Sequence, residues 1–420
     1  GATPPRGASG LRGLVSSVVS SFIRGLYSLL HAALSSPLTR WIVPRRFRRA
    51  DVVISPGRGA AEKGIFYEPS DAIVSRSQIL GKPRITPDPE QFPAVTWTRW
   101  QDAWVTNNRY FPFLLHDDTV MLPPRRVEGP WRLTYRRNRI VWSNGSHVIV
   151  DTKRGPEMRV EKAIFLGGRD FTNWYHWLVD VLPQVHLANR LPEHVRDWPV
   201  LVPEQIYRFP TMAESLELFL GARKVITVPE WSAVAADELI WIDPLEVSNL
   251  PQRKTHPTMD PRIHMLHREG MEGYRDVFLD AFVPQPITPH RKIMLARDTA
   301  RRSYNQDEVM VVAAEFGFEP CYPEKLSLEE QVRVFRESSH IIGPSGAGFA
   351  GLLFCQPGTK ALCWQDTRIR SMTILPDLAT LNGSDYLHVF YQSDESGGLF
   401  KSNYHLDPAW LRESLTTFLA

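Results

Sequence analysis

Two residues in the stretch FTNWYHWLVD, positions 171–180, could do chemistry together. His176 and Asp180 lie four apart in a run with helical apolar spacing, so they share one face of a helix. A carboxylate beside an imidazole holds the ring and raises its basicity, which suits removal of a proton from a hydroxyl. The competing reading is a histidine packed within a core of Trp174, Tyr175 and Trp177. The pair is too sparse for a metal site, and neither an HExxH pattern nor a Cys/His cluster accompanies it. A second stretch, ARDTARRSYNQDE, places Arg297, Arg301 and Arg302 just past the apolar run KIML. Arginine suits bidentate contact with phosphate. A third, IIGPSGAGFAGLLF, carries Gly343, Ser345, Gly346 and Gly348 between a strand pattern and a helix pattern. Free N–H groups at a helix start attract anions, and glycine permits close approach. The spacing is neither GxGxxG nor a P-loop. A tight turn that binds nothing is the alternative.

The elements that must position these residues follow from the pattern. KAIFLGG reads as a strand and glycine turn leading into the helix of His176, which is expected to run to about Arg190. WPVLVPE, KVITVP and ADELIWID read as further strands, TMAESLELFLGA as a helix, and residues 260–282 as a connection and helix. A Pro-rich joint, VPQPITPHR, precedes a second series. There RKIMLARD is a strand, and NQDEVMVVAAEFG a helix with an Asn cap and Gly317 as its stop. SLEEQVRVFRESS is a helix opened by Ser327 with Glu330 three residues on. Alternation of strand and helix predicts parallel sheets covered on both faces. Ligands of open α/β sheets sit at the carboxyl ends of the strands, where the arginines and the glycine turn fall. Residues 50–160 read instead as short strands broken by prolines, an antiparallel or irregular region whose Trp-rich part forms an aromatic wall or core.

Composition narrows the class. A chain of 420 residues exceeds one ordinary core, so two domains are expected. Its 49 basic and 46 acidic residues leave a formal charge of +3, too little to point to nucleic acid. Three cysteines without zinc-like spacing argue against a disulfide framework and for a reducing compartment. No apolar run of about 20 residues occurs, so no transmembrane helix is expected. The first 49 residues carry eight arginines and no acid, and positions 11–35 show a helical apolar stripe. Such a segment fits an anionic membrane surface, or packs on the protein's own body.

Four stretches in this order, NWYHWLVDVLPQV, IMLARDTARRSYNQDEV, EKLSLEEQVRVF and GPSGAGFAGLLFCQPGT, resemble the glycosyltransferase family 61 pattern over roughly residues 160–365. The resemblance implies an α/β, GT-B-type fold of two Rossmann-like domains facing a cleft, here with an extra N-terminal helix and an irregular β region. It implies inverting transfer from a nucleotide-sugar to a glycan or glycolipid hydroxyl without an obligatory metal. Position by position it assigns His176 and Asp180 to catalysis. Donor binding falls to Arg297, Arg301, Arg302, Asn305, Gln331, Pro344, Ser345, Gly346 and Ala347. Many relatives carry histidine where this chain has Ser345, so a catalytic role there is in doubt and the acid–base role moves to the 176–180 helix.

The expected organisation is a basic segment at 1–49, an acceptor domain at 50–285 and a donor domain at 286–420. The expected role is surface or capsular polysaccharide biosynthesis of the bacterial type, in the cytoplasm at the inner membrane face. Two other classes stand beside it: a non-catalytic sugar-nucleotide or polysaccharide-binding protein, and a peripheral membrane scaffold acting through residues 1–49.

Overall fold

The computed structural model describes residues 25–36, 47–54, 59–107, 114–122, 140–144, 146–151, 156–168, 170–248, 264–298, 303–369, 373–393 and 402–420. Within them the fold is mixed α/β, with two large sheets and one small one.

The first large sheet contains four parallel strands in the spatial order Val225–Val228, Val200–Pro203, Met158–Phe165, Ala233–Ile242. In chain order this is third, second, first, fourth, so the order reverses beside Met158–Phe165. Every residue of Val200–Pro203 is buried, as both-face coverage requires. The antiparallel part of the chain continues the same sheet: the twelve-residue strand Val95–Thr106 pairs with Ala233–Ile242. Trp97 and Trp100 on that strand are buried and Trp104 is half-buried, so the described part of the aromatic stretch belongs to the core. Residues 264–267 correct an expectation: they form a strand, not the start of a helix. All four are buried between Glu246–Ser248 and Ser70–Ile73, and His267 caps the helix Arg268–Phe282 by accepting from the Gly270 N–H at 3.0 Å.

The second large sheet is parallel throughout, in the order Glu319–Cys321, Arg291–Leu295, Ser338–Pro344, Lys360–Asp366, Asp385–Tyr391, Gln78–Ile79. Its chain order is second, first, third, fourth, fifth, and the reversal lies between Arg291–Leu295 and Ser338–Pro344. The sixth strand comes from the leading region. Ser77 Oγ lies 2.6 Å from His388 Nδ1 and Ser75 Oγ 2.7 Å from Thr380 Oγ1, tying residues 75–79 to this sheet. The helix Leu328–Glu337 opens with the expected capping box of Ser327 and Glu330. The helix Gln306–Glu315 departs from expectation at its cap: the Asn305 side chain bonds elsewhere and leaves the first turn uncapped.

One apolar cluster joins the two series. It contains Trp177 and Val181 from the helix of the first, Phe278 between them, and Phe349 and Phe354 from the second. Phe278 and Phe354 meet edge to face at 5.1 Å. All three cysteines are buried, and none is in a disulfide. Residues 25–35 are helical and lie against the far edge of the first sheet, where His31 stacks on Trp142 at 4.3 Å. The opposite face leaves Leu26 and Leu29 exposed. Residues 1–24 and 37–46 of the basic segment lie outside the described residues.

Candidate active site

The helix carrying His176 begins where the strand Met158–Phe165 ends. Asn173 caps it, its side chain accepting from the Tyr175 N–H at 3.0 Å. After one α turn the helix widens into a π segment, Trp177–Val181, then returns to α over Leu182–Ala188. Such insertions recur at functional sites. In the π register the Leu182 N–H reaches the Trp177 carbonyl. Pro183, one residue on, has no N–H to offer the Leu178 carbonyl. The buried Tyr274 hydroxyl donates there instead at 2.8 Å. Tyr274→Phe is therefore expected to cost about 1–3 kcal/mol, because a buried carbonyl loses its donor. A thermal melt of the variant checks it; an unchanged midpoint would mean that the carbonyl finds another partner.

Gln184 fixes this helix to the strand end. Its side chain accepts from the Gly167 N–H at 2.9 Å, donates to the Gly167 carbonyl, and donates to the Asp180 carbonyl at 2.8 Å. The approach is close enough that a Cβ on Gly168 would meet Val181 Cγ2 at 2.3 Å. The outcome is a rigid seat for His176 and Asp180. His176 Nδ1 lies 2.7 Å from Asp180 Oδ2, and the side chains are 17% and 5% exposed. The imidazole thus reaches solvent while the carboxylate lies beneath it. With Nδ1–H donating to Asp180, Nε2 carries the lone pair.

On the second sheet, Arg297 follows the strand Arg291–Leu295 and Ser345 follows Ser338–Pro344, one on each side of the strand-order reversal. Arg297 Nη2 donates to the Ser345 carbonyl at 2.5 Å. The Arg297 backbone is clamped by Gln306, which accepts from its N–H at 2.8 Å and donates to its carbonyl at 2.9 Å. Crevices at such reversals are the usual ligand sites of open α/β sheets. Residues Ala347–Phe354 continue from the turn as a 3₁₀ helix rather than an α-helix, with Gly346 in extended backbone. The glycines here answer to packing: a Cβ on Gly343 would sit 2.8 Å from that of Leu295, and one on Gly351 would enter the Phe335 ring. Both series meet at their carboxyl rims, since Trp174–His176 packs on Ala347–Phe354.

Residues 174–362 match the family model Glycosyltransferase 61. No curated protein matches the chain. The matched span is somewhat less than half of the chain and runs from the first residue of the His176 helix into the strand Lys360–Asp366. It takes in His176, Asp180, the arginine segment, Gln331 and the glycine turn, and supports a glycosyltransferase.

Within that span the residues named from sequence divide by what their side chains touch. His176 meets Asp180, and Arg297 meets Ser345. Pro344 and Ser345 are buried where the turn leaves the sheet, and Gly346 and Ala347 open the 3₁₀ helix. Asn305 is turned to the C-terminal segment, bonding the Leu406 backbone at both ends of its carboxamide at 2.9 Å. Gln331 is buried and donates to the Pro323 and Leu326 carbonyls at 2.9 and 3.3 Å. It holds a turn whose Glu324 accepts from the Asp298 N–H at 2.8 Å, and so supports the arginine rim from below. Arg301 and Arg302 lie outside the described residues.

Sequence reasoning missed the two glutamines, Gln184 and Gln306. Their signal is weak: each sits within one helical turn of a chemistry-bearing residue or at a helix start. It also missed Asp243, fully buried past the end of Ala233–Ile242, whose carboxyl burial pushes up to about 6 against bonds from Thr96. Among the described residues no group of three or more His, Cys, Asp or Glu converges as a metal would require. A broad depression lined by His290, Arg291, Lys292, Gly317, Glu319 and Glu337 lies at the amino ends of the second sheet. Its Arg291 is bound by Glu319 and Glu337 at 2.6 and 3.2 Å, so its charge is already met within the protein.

Proposed function

We propose that the protein is an inverting glycosyltransferase that moves a sugar from a nucleotide-sugar donor to a hydroxyl of a glycan or glycolipid. The single observation that carries this reading is the pairing of a His176–Asp180 couple on one carboxyl rim with an Arg297–Ser345 contact on the other, inside the matched span. The two rims are read as the walls of a GT-B-type cleft.

The acceptor hydroxyl attacks the anomeric carbon from the face opposite the leaving group, so one displacement inverts the centre. As the new C–O bond forms, the hydroxyl proton passes to His176 Nε2, and Asp180 steadies the resulting imidazolium. The bond from the anomeric carbon to the diphosphate oxygen breaks, and the electron pair leaves with the nucleotide. Arg297 and the N–H groups of Gly346 and Ala347 offset the charge that develops there, since Pro344 has none and that of Ser345 is held by the Trp364 carbonyl. Exposure favours the imidazole as base and Asp180 as its holder, since the carboxylate is almost covered. Arg301, Arg302, Asn305 and Gln331 complete the donor side, the last two through the backbone they hold. The resemblance carries the further proposal that no metal is obligatory.

Calorimetric titration with UDP, GDP and CMP, each with and without EDTA, tests the reading. Arg297→Ala is expected to weaken binding of the preferred nucleotide by about tenfold or more, whereas His176→Ala leaves it unchanged. Absence of binding by every nucleotide in the wild-type protein would sink the diphosphate site. An EDTA-sensitive signal would sink metal independence alone.

We further propose action on surface polysaccharide at a membrane face, with the basic segment as the contact. Exposed Leu26 and Leu29 support this. Arg48 is already paired with Asp118 at 2.9 Å and Arg49 with Asp51 at 3.5 Å, so the attraction must come from the other arginines of the segment. Among the described residues no helix is long and apolar enough to cross a membrane.

A further inference from the structure

A compact polar knot closes the far side of the second sheet's carboxyl rim. Asp366 ends the strand Lys360–Asp366, and Arg368 folds back on it. Arg368 Nη2 donates to Asp366 Oδ2 at 2.6 Å and Nε to Oδ1 at 3.0 Å, a bidentate pair. The same Nη2 reaches Ser393 Oγ at 2.5 Å and Ser402 Oγ at 3.1 Å. Ser393 in turn donates to Asp366 Oδ2 at 2.5 Å. One guanidinium therefore fastens the strand end to two later points of the chain, 25 and 34 residues on. Burial alone would raise the Asp366 carboxyl, but the bonds from Arg368 and Ser393 outweigh it and hold it below the usual range.

Two routes lead from this knot to the candidate donor site. Ser402 is followed by Asn403 and Tyr404, which bind Ser303: the Asn403 side chain accepts from the Ser303 N–H at 3.1 Å, and the Tyr404 N–H donates to the Ser303 carbonyl at 3.2 Å. The Tyr404 ring stacks on Tyr304 at 5.0 Å, and the Tyr304 hydroxyl donates to Gln306 Oε1, the clamp of the Arg297 backbone. In the second route Trp364 Nε1 donates to the Tyr404 hydroxyl at 3.2 Å, while the Trp364 carbonyl accepts from the Ser345 N–H at 3.1 Å. Ser345 then accepts from Arg297. The two routes close on the same pair.

We propose that Arg368 is a positioning residue that fixes Arg297 and the Ser345 turn as a preformed anion site. This rests on the diphosphate reading given above. A lysine at 368 keeps a cation beside Asp366 but, as a point charge on a single stem, cannot span Asp366, Ser393 and Ser402 together. Fixed geometry, not charge, is what the substitution removes.

The test is a double-mutant cycle read by calorimetric titration with UDP and GDP. Arg368→Lys is expected to weaken binding of the preferred nucleotide about tenfold, and Ser402→Ala in the same direction by less. The Arg297→Ala/Arg368→Lys double variant is expected to bind no more weakly than Arg297→Ala alone, because Arg368 acts through Arg297. Losses that add in the double variant would overturn the inference, since Arg368 would then act independently of Arg297. Wild-type affinity in Arg368→Lys, with Arg297→Ala impaired, would also overturn it while leaving the donor site standing. Arg297→Ala without effect would instead remove the donor-site reading itself. Should Arg368→Lys fail to fold, Ser402→Ala crossed with Arg297→Ala runs the same cycle with a milder change.

Discussion

Asp180→Asn is expected to lower the rate of sugar transfer by about 10²–10⁴-fold while nucleotide binding stays at the wild-type level. The substitution is nearly isosteric, so the covered position and the Gln184 bond to its carbonyl are preserved. What changes is the partner of His176 Nδ1. A carboxylate accepts one proton from Nδ1 and steadies the imidazolium formed during attack, whereas an amide can present its NH₂ and turn the ring to the wrong tautomer. Steady-state rates and titration on the same preparation separate the two effects. His176→Ala supplies the comparison. A larger loss in His176→Ala than in Asp180→Asn fits a histidine base oriented by aspartate, and the reverse order makes Asp180 the base. Loss of nucleotide binding in parallel with rate would instead place the couple on the donor side and overturn the assigned roles.

Much of this arrangement was legible from residue patterns because those patterns are local. The strands Met158–Phe165, Val200–Pro203, Val225–Val228 and Ser338–Pro344 appear as short apolar runs closed by glycine or proline, whereas Asp385–Tyr391 went unread. The Ser327–Glu330 capping box is a local signal with three-residue spacing. The 176–180 pair was visible since four residues return to the same helical face. Other features depend on partners far along the chain. The strand at 264–267 is short and flanked by histidines, so only its neighbours Glu246–Ser248 and Ser70–Ile73 make it a strand. Gln78–Ile79 pairs with Asp385–Tyr391 from more than 300 residues away in sequence, a pairing no periodicity announces. Asn305 looked like a helix cap on its position alone. Its carboxamide is taken by Leu406, a competition decided by tertiary structure.

The glycine turn teaches the same lesson in the opposite direction. Its composition suggested backbone opened for a phosphate, and the turn does sit beside Arg297 at the strand-order reversal. Yet Gly343 and Gly351 are required by Leu295 and Phe335, which touch them from the core side. Glycine content here reports packing of the turn against its own domain. The case for an anion site therefore rests on Arg297, Ser345 and their supports.

Gln184→Leu is expected to be the most damaging single change to the scaffold of the catalytic couple. The side chain is fully buried and serves three backbone groups: the Gly167 N–H, the Gly167 carbonyl and the Asp180 carbonyl. Leucine fills a similar volume but satisfies none of them. At about 1–3 kcal/mol for each buried group left without a partner, the loss is ~3 kcal/mol or more. In a chain of 420 residues that corresponds to a melting midpoint lower by about 3 °C or more. The rate should fall with it, because the strand end and the π segment lose the clasp that sets where His176 stands, and a shift of about 1 Å can cost 10²-fold. Gln184→Glu distinguishes bonding from volume. Ionised, it still accepts from the Gly167 N–H but faces two carbonyls without a proton; protonated, it donates to one of the two. The folded state therefore raises the pKa of this new carboxyl above its unfolded value of about 4.3. The part of its penalty that comes from ionisation is absent below that value and grows as pH rises through the raised one. A Gln184→Glu protein whose midpoint deficit against wild type is the same at pH 4.5 and pH 7.5 would show that Gln184 acts through volume rather than through its bonds.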